Sequence, residues 1–112
     1  MGKRRENLGH FELMVLLALM QLKDEAYGLP ILAEIEGRIG REVALGSVYA
    51  ALGRLEAKGF VTSRLGEPTA ERGGKAKRYF TVTAAGVREV RGIHRALVSL
   101  WQGLPDVAGG VA

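Results

Sequence analysis

The spacing of apolar residues changes three times along this chain, and each change marks an element. Residues 8–22 are apolar on nearly every side of a helical projection, which predicts a helix buried on most faces and therefore central. Lys23-Asp24-Glu25 is a polar break. Pro30 suits the first turn of a second helix, where its missing N–H costs nothing. Ile31, Leu32, Ile35 and Ile39 give that helix an apolar stripe, and Gly40 is its stop. A third helix is expected over 46–58, with Ser47 as N-cap. Its Val48, Leu52 and Leu55 share one side, and Ser47, Ala50, Ala51, Arg54 and Lys58 are assigned to the other.

After Gly59 the pattern becomes extended. Residues 60–65 and 77–83 are rich in β-branched and aromatic side chains, so they read as strands. Glycines and a proline make 66–76 the loop between them. Thr83 is a good N-cap for a last helix reaching about Gly103. Within it Val87, Val90, His94, Leu97, Trp101 and Leu104 recur at spacings of three and four, a heptad seam widened by Ile93 and Leu100. The fold class is thus mostly α with a small β-hairpin. The expected organisation is a winged helix-turn-helix over 1–83, followed by a C-terminal dimerisation helix and tail over 84–112. The seam could fold back on its own domain. A second copy is favoured, because the first three helices and the hairpin already close a core.

At 112 residues, 47% apolar and 25% charged, the chain has an ordinary globular balance. A domain this small buries roughly two-thirds of its unfolded surface, so dimerisation would add useful burial. The absence of cysteine excludes disulfide scaffolds, thiolate metal sites and cysteine nucleophiles. The longest apolar run, 13–20, is far short of the roughly 20 residues that a membrane span needs. Lys3-Arg4-Arg5 is followed by Glu12 and no small-residue cleavage site, so no signal peptide is expected; the chain reads as cytoplasmic, with no membrane partner.

The net charge is +4, and it is unevenly spread: +2 over 1–7, −2 over 8–59, +3 over 60–83 and +1 over 84–112. Clustered cations around the hairpin are the footprint of a polyanion partner. The third helix has small residues at its start and cations at its end, the shape needed where a helix meets base edges and then phosphate. Arg54 is its candidate base reader, the alternative being a solvent-facing arginine paired with an acidic neighbour such as Glu56. Arg72, Lys75, Lys77 and Arg78 suit phosphates or a minor groove, with Gly73-Gly74 permitting close backbone approach. Tyr27-Gly28 opens the second helix, where N–H groups can hold a phosphate, or else the ring packs on the first helix. Lys3, Arg4 and Arg5 are expected either to reach along the DNA as an arm or to be disordered.

Other chemistries are not supported. Gly74-Lys75 is no phosphate loop, since Thr69 stands where the first glycine belongs and Ala76 replaces Ser or Thr. His10 and His94 lack partners at ligand spacing, so no metal is expected. With no acid pair, activated nucleophile or nucleotide loop, neither an enzyme nor a cofactor is expected. The rival to double-stranded DNA is a winged-helix protein–protein interaction module, against which the basic hairpin argues.

In these residues the chain resembles the PadR family of transcriptional regulators, short type. The resemblance rests on Phe11-Glu12-Leu13 with Val15-Leu16-Leu17, on Ala26-Tyr27-Gly28, and on Gly46-Ser47-Val48-Tyr49 with Leu52, Arg54-Leu55-Glu56 and Lys58-Gly59. It continues through the run from Arg72 to Phe80 and through Thr83-Ala84-Ala85-Gly86. It implies a cytosolic homodimeric repressor on an inverted-repeat operator, released by a small-molecule or protein effector. It also implies that Tyr49 touches the DNA backbone, although the same position fits a half-buried core tyrosine. Some relatives hold flat aromatic effectors at the dimer interface, which makes Trp101 the candidate effector residue.

Overall fold

The computed structural model describes residues 8–67 and 76–105. Arm residues Lys3, Arg4 and Arg5, hairpin-tip residues Arg72, Gly73, Gly74 and Lys75, and the tail from Val107 onward lie outside the described residues. In chain order come α1 (His10–Leu22), one 3-10 turn (Lys23–Glu25), α2 (Gly28–Ile39), α3 (Leu45–Ala57), β1 (Val61–Leu65), β2 (Arg78–Val82) and α4 (Ala84–Trp101). This is the expected mostly helical winged-helix architecture.

The first helix is central, as its apolar pattern predicts: it packs on α2, α3, α4 and β2. Val15, Leu16 and Leu19 meet Ile31 and Ile35 of α2, the buried side of α3, and Phe60, Val61, Phe80 and Val90 in one core. Yet Leu17 and Met20 remain exposed, so α1 keeps an apolar stripe that this chain does not cover. The helix begins at His10 rather than residue 8, because Gly9 is extended and its N–H donates to Glu12 Oε1 at 3.0 Å. Gly40 ends α2 in the left-handed region as expected, at φ 71°.

Two expectations for α3 are corrected. Its N-cap is Ala44, not Ser47; the helix starts at Leu45, and Ser47 lies in the first turn with its N–H on the Ala44 carbonyl at 3.0 Å. Ala51 belongs to the core, not to the polar side. It is three residues after Val48 and four before Leu55, so helical geometry puts it on their face.

The strands pair antiparallel with Val61 opposite Val82, Ser63 opposite Phe80 and Leu65 opposite Arg78. The Phe80 N–H also donates to the Ala26 carbonyl at 2.8 Å, which fastens the start of α2 to the hairpin. Thr83 caps α4 as expected: its Oγ1 accepts the Gly86 N–H at 3.1 Å and donates to the Gly59 carbonyl at 2.8 Å. Gly86 makes this docking possible, because a Cβ there would sit 2.5 Å from the Phe60 carbonyl oxygen and 2.7 Å from Val82 Cγ1.

The fourth helix spans roughly 27 Å at 1.5 Å per residue, and only its first half is held. Val90 is buried in its own core and Val87 is half-buried, whereas every described residue from His94 onward is exposed. The helix stops at Trp101, and Gly103 turns the chain away at φ 86°, so Leu104 is not on the helical seam.

Candidate nucleic-acid interface

The outward face of α3 is narrower than the sequence reading assumed. With Ala51 withdrawn into the core, the exposed line runs Gly46, Ala50, Gly53, Ala57. Ser47, Arg54 and Lys58 border it on one side and Tyr49 on the other. A Cβ on Gly46 or Gly53 would meet nothing within 4 Å, so no packing within the chain requires glycine at either place. Each nevertheless costs the helix about 0.5–1 kcal/mol relative to alanine.

Arg54 and Lys58 are not simply free at the end of this face. Both reach the carboxylate of Glu12, which the sequence reading passed over. Arg54 Nε donates to Oε2 at 2.6 Å and Lys58 Nζ to Oε1 at 2.7 Å. Burial raises the Glu12 pKa, but the hydrogen bonds from Lys58, Arg54 and the Gly9 N–H outweigh it and bring the value down to about 2. The Arg54 side chain remains 53% exposed, against 18% for Lys58 and 6% for Glu12. The clamp thus holds the guanidinium at Nε, while about half of the side chain stays open to solvent. The arginine's partner is therefore Glu12 rather than the Glu56 considered above.

At the other end of α3 the structure gathers Tyr27, Tyr49, Lys77 and Arg78 around one recess of about 310 Å³, together with Leu29, Leu65 and Ala76. Lys77 Nζ donates to the Tyr27 hydroxyl at 3.2 Å and lies 4.4 Å from the centre of its ring. Tyr27 meets Tyr79 edge-on at 5.3 Å, and Arg64 lies 4.8 Å above the Tyr79 ring. Tyr27 therefore packs on the hairpin. Arg78 donates to Ser63 Oγ at 3.1 Å, and that hydroxyl donates to Glu56 at 2.9 Å. Tyr49 is 47% exposed, and its hydroxyl closes over Gly28, where a Cβ would collide with it. It thus joins the recess to the slim face of α3.

Sequence reasoning missed Glu12, Arg64 and Tyr79 as contributors. Glu12 had a readable signal: a lone acid in an apolar helix, three residues after its N-cap, must find cations or a cap when buried. Arg64 and Tyr79 are legible only once the register sets them opposite each other. Ser47 and Ala50 line a second, shallow recess with Phe11, Glu42 and Arg54. Among the described residues no group of acidic, histidine or cysteine side chains is arranged to hold a metal. No helix among them is long and apolar enough to cross a membrane.

Away from this surface, Leu13 and Leu17 of α1 and Val90, Ile93, His94 and Leu97 of α4 line an apolar groove of about 370 Å³. Leu97, Leu100, Trp101 and Leu104 continue beyond it, all more than half exposed.

Residues 16–92 match the model of the PadR-like family of transcriptional regulators. No curated protein matches the chain. Among solved structures it is similar to hsRosR-S4, determined as a complex, with 25% identity, a TM-score of 0.67, and 95% of this chain and 84% of that one covered. It is also similar to a PadR family transcriptional regulator from Eggerthella lenta, at 25% identity and TM-score 0.64, covering 80% of this chain and 76% of the other. A PadR family regulator from Clostridium difficile shares the fold at 22% identity and TM-score 0.66, covering 82% and 91%.

Proposed function

From the premise that this chain belongs to the PadR-like family of transcriptional regulators, we propose that it is a sequence-specific binder of double-stranded DNA, a cytoplasmic homodimeric repressor released by an effector. One observation carries this reading: the slim face of α3 runs through Tyr49 into a recess edged with Lys77 and Arg78. Duplex DNA needs both parts at once. Small side chains let a helix enter the major groove, and cations with tyrosine hydroxyls hold the neighbouring phosphates.

In this arrangement Ser47, Ala50 and Arg54 face base edges, while Tyr27, Tyr49, Lys58, Lys77 and Arg78 face the backbone. The hairpin tip, with Arg72, Gly73, Gly74 and Lys75, extends the backbone contact. Residues 1–83 act as the reading domain and 84–112 as the dimerisation segment. The apolar residues that α4 leaves exposed support the second assignment, with Leu97, Trp101 and Leu104 meeting a second copy. Val87, Val90 and His94 belong to the same seam at its inner end, and Trp101 is the residue proposed to meet an effector. A two-fold dimer reads an inverted repeat whose half-sites lie about 10 bp apart, or a multiple of that.

Selection of fragments from a random duplex pool by the purified chain tests the reading. Recovery of a two-fold motif that the chain binds more tightly than its scrambled version supports it. Lys75→Ala should then lower affinity on all sequences and flatten the salt dependence, while Arg54→Ala relaxes base preference. A chain that ignores duplex DNA at low ionic strength, yet captures a protein partner, would establish the interaction-module alternative.

A further inference from the structure

The ion-paired cluster joining α1 to the end of α3 bears directly on base reading, and the inference drawn from it rests on the DNA-binding function proposed above. We propose that Glu12 is a positioning residue for sequence discrimination: it fixes the orientation in which Arg54 is presented to base edges and weakens the pull of Lys58 on the phosphates it faces.

The geometry carries this in three steps. First, the Glu12 carboxylate accepts three hydrogen bonds: Oε2 from Arg54 Nε, and Oε1 from Lys58 Nζ and the Gly9 N–H. An acid at the N3 position of α1, tied to that helix's own N-terminus, is a stiff anchor. Second, an arginine can approach a guanine with its two terminal nitrogens or with Nε and one of them. Glu12 occupies Nε, which leaves the two terminal nitrogens for an end-on approach by a side chain that is still half exposed. An arginine held this way loses less side-chain freedom on binding, which favours the matching base over mere proximity to phosphate. Third, one carboxylate set against two cations lowers the charge that the end of α3 offers to a backbone. Sequence-independent affinity falls, because that affinity counts phosphates neutralised.

The experiment measures binding of the full chain to its selected duplex and to a scrambled duplex of equal length, across a salt series, by fluorescence anisotropy. The proteins are the natural chain, Glu12→Gln, Arg54→Ala and the double variant. Each is assayed below its own melting midpoint. Glu12→Gln keeps the side-chain shape but cannot hold two cations. It should bind scrambled DNA more tightly, with a salt slope steeper by about 1. Its ratio of selected to scrambled affinity should fall by at least roughly 5-fold, the lower end of what a bidentate arginine–guanine contact discriminates. In the Arg54→Ala background the same substitution should leave the ratio unchanged. A purely structural role for Glu12 would instead lower both affinities together.

Equal ratios for the natural chain and Glu12→Gln overturn the proposal, as does an equal fall in the Arg54→Ala background. Should Glu12→Gln not fold, Arg54→Lys carries the test, since it keeps the charge and removes the fork. It is expected to retain scrambled-duplex affinity and lose discrimination, and retained discrimination overturns the proposal. A natural chain that does not bind duplex at all overturns the proposed function and this role with it. A natural chain that discriminates beside an equally discriminating Glu12→Gln overturns the role alone.

Discussion

The Glu12 cluster makes a stability prediction whose sign can be worked from the structure. In the folded chain the Glu12 carboxyl titrates at about 2, against an ordinary value of 4.5. A carboxylate depressed by folding stabilises the native state at pH values above its unfolded pKa, and that contribution disappears as pH falls through the folded value. At full strength the difference corresponds to roughly 3 kcal/mol. Arg54 is half exposed, so water screens part of the pair and brings the contribution to about 1–2 kcal/mol. Glu12→Gln removes the titration while preserving size. In urea melts the variant should be less stable than the natural chain by about that amount at pH 7, or roughly 4–8 °C in Tm per kcal/mol. Below pH 4.5 the gap should narrow, and it should be nearly closed at pH 2. The other carboxylates titrate in both proteins and cancel in the difference. A gap that stays constant from pH 7 to pH 2, or widens on acidification, would refute the reasoning.

Three further outcomes are expected. Gly53→Ala should raise stability by about 0.5–1 kcal/mol in denaturant titrations, because the helix gains and nothing lies within 4 Å; bulky Gly53→Leu should abolish binding to the selected duplex without unfolding the chain. Gly86→Ala should destabilise by about 1–2 kcal/mol in the same titrations, since the added methyl meets a backbone oxygen that cannot yield and the helix-propensity gain only partly offsets this. Leu97→Asp combined with Trp101→Ala should shift the chain to monomer in sedimentation analysis, as charge replaces apolar surface on the free end of α4.

Much of the fold was legible because local rules and the global packing agree. Helical periodicity located α1 and α2, the shift to β-branched residues located the hairpin, and Thr83 marked the start of α4 through its cap. Errors arose where a local signal competed with burial. Ser47 looks like a cap, but Leu45 gains more by starting the helix two residues earlier and packing half-buried. Ala51 is small enough to read as groove-facing, and only its phase relative to Val48 and Leu55 assigns it inward. The candidate site was legible in part: Tyr27, Tyr49, Lys77 and Arg78 were named from sequence, and the fold brings them to one recess. Pairings across long separations were not. Glu12 and Arg54 stand 42 positions apart, and Arg64 meets Tyr79 only through strand register. Neither separation has a periodic signature for a sequence reading to detect.

The arrangement of charge explains why a chain of this kind would need the surface that α4 leaves uncovered. At the end of α3 the two cations share one buried carboxylate, so each protomer brings little unspent charge to that part of a groove. A short helix faced with glycine and alanine adds few contacts of its own. A single reading head built this way is selective but weak. Two heads held rigidly by one seam gain without any new contact, because the first to dock raises the effective concentration of the second. Burying the exposed parts of Leu97, Leu100 and Trp101 on two copies offers at most on the order of 10–20 kcal/mol at roughly 25 cal/mol per Å², against an association cost of about 4–15 kcal/mol. On that arithmetic the proposed dimer would be stable without being irreversible. In the proposed scheme, an effector seated near Trp101 that shifted the angle between two weak heads by a few degrees would release both, with no need to touch the DNA-facing residues at all.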